Sequence, residues 1–350
     1  MNKNAIAVMA TLTGLLLSGC MAEIGAFEAF PGSLDDSDGS DSTDSPGDPG
    51  RPVPQPVTIP GQIEPWPGQL RAWPAESRQQ ATSLFTAGPN SVLDEDNWSG
   101  AHWNPQTQTL WLCRNRHGIR SYVYNGTGFV LDALYSIDAD LEGITQADYA
   151  RPEVYTVAEK EQQIRQYDVS GATPVLLQSW DISSLVADGQ GMEGIVFIPD
   201  SFLATQGFRD AQGALYPRSV YGTGGVFLVS HQSGGDIFAL DLEGNGNYST
   251  IGRYRVPLAS TRGLEFDREG GVLYMVDGTH TARSLVAVTG SGAGSPQGFG
   301  ILDLYGGPGP DGAEGIAVAP AQDGIDWAVI TDDDNTAGNT ALLWYRNFTP

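Results

Sequence analysis

Five times along the chain a glycine opens an apolar run: Trp98-Ser99-Gly100-Ala101-His102-Trp103, Leu141-Glu142-Gly143-Ile144, Met192-Glu193-Gly194-Ile195-Val196-Phe197, Thr261-Arg262-Gly263-Leu264-Glu265-Phe266 and Ala313-Glu314-Gly315-Ile316-Ala317-Val318. The glycines stand 43, 51, 69 and 52 residues apart. A repeat of roughly 40–50 residues built from short strands is one blade of a β-propeller. A single blade cannot bury its own apolar faces, so the repeats must close on one another. After each glycine run comes a second apolar strand, as in Val226–Val229 or Val272–Val276, then a polar turn and an alternating third strand. A fourth strand is legible at Val130–Tyr135, Val175–Trp180, Thr250–Tyr254 and Gly300–Tyr305. The spacing therefore predicts an all-β chain, a five-bladed β-propeller. Six blades are the alternative, since the 69-residue spacing leaves room for a degenerate one. The last unit runs out before a fourth strand, so Ala81–Thr86 is expected to fill that edge and close the ring as an N-terminal strand. Asp200–Gly222 interrupts the third unit, either as an elaborated loop over one face or as a tolerated surface insertion.

Composition excludes other classes. With 45 Gly and 22 Pro in 350 residues, the chain is too rich in helix breakers for a bundle and too aperiodic for collagen. The net charge is −24, and the two lysines are Lys3 and Lys160. So acidic a surface repels phosphate backbones, which rules out nucleic acid as a partner and favours cations. Lys160 stands in Glu159-Lys160-Glu161 without a glycine loop before it, so there is no P-loop.

The N-terminus reads as an address and a tether. Lys3 precedes an apolar run from Ala5 to Leu17, too short to span a bilayer. It ends in Leu17-Ser18-Gly19-Cys20, which resembles the bacterial lipobox. That resemblance implies a signal peptide over 1–19, lipidation at Cys20 and a membrane partner reached through the lipid. Met21, where Asp would favour the inner membrane, implies the outer membrane of a bacterial cell envelope. Residues 20–55 carry the run Leu34-Asp35-Asp36-Ser37-Asp38-Gly39-Ser40-Asp41, which has too little apolar surface to order and reads as an acidic spacer. The propeller domain then occupies 56–350. With Cys20 used by lipid, Cys113 in Leu110-Trp111-Leu112-Cys113 is left without a disulfide partner and reads as a packed thiol.

The glycine motifs, with Trp103-Asn104-Pro105-Gln106-Thr107-Gln108-Thr109-Leu110-Trp111 alongside the first of them, resemble the SdiA-regulated family of envelope propellers over about residues 80–348. NHL-repeat and esterase-like phytase propellers are more distantly similar. The resemblance implies five blades and a calcium site, with no settled enzymatic role.

In a propeller the first strand of every blade lines the axis, so equivalent positions meet there. Glu142, Glu193 and Glu314 hold one such position and are expected to ring one mouth of the channel. Packed like charges cost several kcal/mol unless a cation or protons offset them, and Ca²⁺ suits an all-oxygen site. The bland alternative is that each Glu caps a solvated turn. Ser99 and Arg262 break the ring. Ser99 can add a neutral oxygen, while Arg262 can pair with a neighbouring Glu or contact an anion. Asp277 and Asp332–Asp334 are further carboxylates that fit turns as well as a metal. No Gly-x-Ser-x-Gly elbow occurs, and no catalytic residue is assigned. His117, His231 and His280 follow second strands and can share a face. The strand tryptophans read as packing between blades, with Trp98 a possible exposed platform. Two functions remain: a lipid-anchored, calcium-binding module for an unidentified protein or small-molecule ligand, and a calcium-dependent phosphoesterase of the phytase-like kind. The second needs clustered bases, and only Arg114 and Arg116 stand close together.

Overall fold

The computed structural model describes residues 70–76, 85, 97–186, 191–289, 298–307, 312–319, 327–332, 342–348 and 350. The expected signal peptide, Cys20 and the tether lie outside these residues, as do Asp333 and Asp334.

The expected strands form, and they form as five sheets. The first blade is β2 (Trp98–Asn104), β3 (Thr109–Arg114), β4 (Gly118–Tyr124) and β5 (Phe129–Tyr135). The second is β6 (Leu141–Thr145), β7 (Glu153–Ala158), β8 (Gln163–Asp168) and β9 (Val175–Asp181). The third is β10 (Met192–Pro199), β11 (Gly225–His231), β12 (Asp236–Leu242) and β13 (Tyr248–Arg255). The fourth is β14 (Gly263–Asp267), β15 (Val272–Val276), β16 (His280–Thr289) and β17 (Gly298–Gly306), joined by β1 (Arg71–Ala72). The fifth is β18 (Ala313–Ala319), β19 (Trp327–Asp332) and β20 (Leu342–Arg346). Within each blade the strands pair antiparallel in chain order. The 69-residue spacing holds no sixth blade. It holds α1 (Asp200–Gln206), capped by Gly207 at φ 77°, and a loop.

The repeat glycines sit where neighbouring blades touch. A Cβ on Gly143 would stand 2.6 Å from the Glu193 carbonyl oxygen, and one on Gly194 would stand 2.5 Å from that of Arg262. Gly263 faces Glu314 in the same way at 2.5 Å, Gly100 faces Glu142 at 3.0 Å, and Gly315 faces the Ser99 carbonyl, which closes the circle. Short side chains on the second strands tie the turns of this ring: Ser230 Oγ accepts the Gly194 N–H at 2.8 Å and donates to the Arg262 carbonyl at 3.2 Å, and Thr331 Oγ1 donates to the Ser99 carbonyl at 2.6 Å. In four blades the pairing of first and second strands slips at this point, as between Met192 and Ile195. A bulge there adds one residue and re-aims the side chain before the glycine.

The apolar core lies between blades, in five clusters, one at each junction. Trp103 meets Trp327 across the first and fifth blades at 5.0 Å between ring centroids, and Tyr155 meets Phe227 across the second and third at 4.6 Å. Trp98 is fully buried, so the possible exposed platform is not there. Cys113 is buried, and burial pushes its thiol well above the ordinary range, consistent with packing.

The N-terminal strand takes another place than expected. β1 pairs in parallel with β17 of the fourth blade, Trp73 packs on Tyr345 and Phe348, and the Glu76 N–H donates to the Arg346 carbonyl of the fifth blade at 3.1 Å. Within 81–86 only Phe85 is described. It bridges Phe129 of the first blade rather than β20. The described parts of this segment rest on aromatic rings, Trp73 on Tyr345 and Phe348 and Phe85 on Phe129 and Tyr122.

The insertion is a structured element. Asp241 on β12 is fully buried and accepts from Tyr216 Oη at 3.0 Å, Ser219 Oγ at 2.6 Å and the Val220 N–H at 2.8 Å. Gln206 at the end of α1 accepts from the Val286 N–H at 2.7 Å, pinning the helix to the fourth blade.

Gly194→Ala is expected to lower the free energy of unfolding by about 2 kcal/mol or more, because the added Cβ would meet the backbone of Arg262 and Leu264 at 2.5 and 2.9 Å, atoms that cannot yield. Gly171→Ala, whose nearest neighbour would be 3.8 Å away, should change it by less than about 0.5 kcal/mol. Urea midpoints compared at constant m-value test the contrast; equal midpoints would refute the tight ring.

Candidate functional site at the channel mouth

The glycine ring sets the residues before it around one end of the axis, beside a small cavity of about 10 Å³ lined by all five repeat glycines and Glu142. Glu142, Glu193 and Glu314 are all buried here, at 8%, 4% and 6% exposure. Burial pushes the Glu193 carboxyl well above its ordinary value, and the negative charges of Glu142, Glu314 and Glu159 push it further, against the pull of Arg262. The three predicted acids therefore act on one another electrostatically, and Arg262 stands among them. Arg262 Nη1 pairs with Glu314 Oε1 at 2.5 Å, the internal pairing that the sequence left open. Ser99 holds the fifth position, buried, with its carbonyl engaged by Thr331.

Sequence reasoning missed a second set of acids. Asp140, Glu142 and Glu159 each place a carboxylate oxygen within 4.8 Å of the others, the only such group of three among the described residues. Asp140 stands just before β6, and Glu159 on the turn between β7 and β8, whose N–H donates to the Asp140 carbonyl at 2.9 Å. Lys160 Nζ reaches Asp140 Oδ2 at 2.8 Å. Burial raises the Glu159 carboxyl above its usual range, helped by the charge on Asp140 and opposed by Lys160. A usable signal was the Asp140-Leu141-Glu142 spacing, since alternate residues of an extended chain share a face. No periodic signal places Glu159 there, because its turn is positioned by the register of β7 and β8.

These residues fit a hard divalent cation. Asp140 is 3% exposed and its Oδ1 has no hydrogen-bond partner among the described residues. A buried carboxylate oxygen left so is costly. Gly191 makes the space for Glu159: a Cβ there would collide with its carboxylate. The donors are all oxygen, as Ca²⁺ prefers.

The channel has a polar crossing further in. His102 of the first blade and Glu265 of the fourth, both buried, meet across it with Nδ1 and Oε2 2.8 Å apart, and the Trp103 N–H donates to Glu265 Oε1 at 3.0 Å. Burial raises the Glu265 carboxyl, and His102, the Trp103 N–H and Arg268 oppose the rise. Arg268 stacks on Tyr149 at 3.8 Å and donates to the carbonyls of Gln146 and Ala147. The other histidines are held separately. His231 Nδ1 lies 2.9 Å from the Ser233 carbonyl oxygen, while His280 lies against Asp277, whose Oδ1 accepts the N–H groups of Thr279 and His280 as a turn residue does.

No family model matches the chain, and no curated protein matches it. Among solved structures it is similar to a protein from Lactobacillus plantarum, with 14% identity, a TM-score of 0.37, and coverage of 69% of this chain and 66% of that one, just under two thirds of its length. It is also similar to a luciferin-regenerating enzyme, with 13% identity, a TM-score of 0.36, and coverage of 72% and 92%. The class defined by the coordinates is the five-bladed β-propeller.

Because the native Glu193 carboxyl holds its proton above the ordinary value of 4.5, the folded state binds more protons than the unfolded chain over the pH range above it. This group therefore withdraws stability as pH rises from 4.5 through the raised value. Glu193→Gln removes the effect. The stability of the variant relative to the native chain should rise steadily with pH over that range, as read by urea unfolding in chelator. A pH-independent difference would show that Glu193 ionises normally.

Proposed function

We propose that this chain is a lipid-anchored propeller of the bacterial cell envelope, akin to the SdiA-regulated family, that binds Ca²⁺ at its channel mouth and serves as a binding module for a protein or small-molecule ligand. The observation that carries the reading is the convergence of Glu142, Glu193, Glu314, Asp140 and Glu159 around one mouth, with Arg262 and Lys160 as their cationic partners. Five carboxylates against two bases is an excess that a divalent ion offsets. The binding reading is preferred over phosphoesterase chemistry because both bases are already ion-paired with carboxylates, which leaves phosphate without a prepared cradle. The lipobox-like Leu17-Ser18-Gly19-Cys20 and the acidic spacer support outer-membrane anchoring, with the propeller held off the bilayer.

If folded protein alone binds the ion, calcium raises the melting temperature and chelator lowers it, by an amount set by the ratio of free ion to Kd. Identical melting curves with excess calcium and with chelator would count against the ion. In cells, the chain should fractionate with outer membranes, and Cys20→Ser should release it to the soluble periplasmic fraction. Membrane retention of that variant would exclude the lipid as the anchor.

A further inference from the structure

We infer that the calcium ion sits off the axis, at the junction of the first and second blades, held by Asp140, Glu142 and Glu159, and that Lys160 is the resident cation it displaces. The inference rests on the calcium reading above and locates the ion within that mouth.

The axis is the less suitable seat. Glu314 is already ion-paired with Arg262. Glu142 belongs to the off-axis group as well. There three carboxylate oxygens converge within 4.8 Å, a spacing that one ion contacting all three at 2.3–2.6 Å can bridge.

Two buried oxygens without a partner point to a ligand. The first is Oδ1 of Asp140. Asn115 stands opposite Asp140 in an antiparallel bridge, so their side chains share a face, and its own Oδ1 is also buried without a partner. A cation can engage both oxygens at once.

Lys160 explains how the site stays folded without the ion. Its ammonium lies 2.8 Å from Asp140 Oδ2, while 57% of the side chain is exposed. An exposed lysine pair is weak and leaves readily for solvent. Calcium, with twice the charge and short oxygen contacts, replaces it.

The experiment is calcium titration into the full chain, purified in detergent, followed by calorimetry on the native protein and on Asp140→Asn, Glu159→Gln, Glu193→Gln, Glu314→Gln and Lys160→Met. Circular dichroism in chelator confirms that each variant is folded. Glu142 is omitted because both seats use it. The expected pattern is a loss of about ten-fold or more in affinity for Asp140→Asn and Glu159→Gln, a change of less than about three-fold for Glu193→Gln and Glu314→Gln, and tighter binding by Lys160→Met. The reverse pattern, with Glu193 and Glu314 controlling affinity, overturns the off-axis seat and leaves calcium binding intact. A uniform effect across the four carboxylate variants, or unchanged affinity in Asp140→Asn and Glu159→Gln, overturns it equally. If the native chain takes up no calcium, the seat falls together with the calcium reading.

Discussion

Backbone-to-backbone approach at the five repeat glycines is the constraint on which the molecule depends. Each glycine lets the carbonyl of the next blade come where a Cβ would stand, and the sequence of contacts closes from Gly315 onto Ser99. Five inner strands drawn so near the axis leave little central space, so the apolar side chains pack outward, between blades. The result is five core clusters rather than one. The same closeness forces the residue before each glycine to share an end of the axis with its four counterparts. The polar mouth is thus a geometric consequence of the ring, whatever residues occupy it.

How the chain fills those positions decides the chemistry. Five identical glutamates would be intolerable in so buried a setting. Arg262 cancels one charge, Ser99 removes another, and a raised carboxyl on Glu193 removes a third. To one side, at Glu142, the carboxylates of Asp140 and Glu159 converge on it. Deeper in the channel a different balance holds, with His102, Glu265, Arg268 and Tyr149 engaging one another across it.

The ring was legible in the sequence because it repeats. A glycine needed for close approach recurs at every blade, the apolar strands follow it at fixed offsets, and the fourth strands of the first four blades fell within a residue or two of their observed spans. The three glutamates were legible for the same reason. What was not legible lacks a period. Trp73 and Phe85 take their places by finding aromatic neighbours far along the chain, which no local strand pattern announces. Glu159 was visible only as part of a charged turn, because nothing local says that the turn folds back toward Asp140. His102 and Glu265 are 163 positions apart and belong to blades that are not neighbours; their meeting requires the whole circle to exist first.

This has a consequence for how such a mouth acquires a ligand. A site made only from the repeat position inherits the pseudo-symmetry of the ring, with ligands too evenly spread to contact one small ion. Binding chemistry requires the symmetry to be broken by residues outside the repeat. Here the break occurs at one blade junction: a residue just before the inner strand, Asp140, and one on the adjacent turn, Glu159, approach one repeat member, Glu142. The insertion between β10 and β11 breaks the symmetry again, pinned by Asp241 at the far end of its blade's inner strands. The repeat builds the frame, and the departures from it carry the specificity.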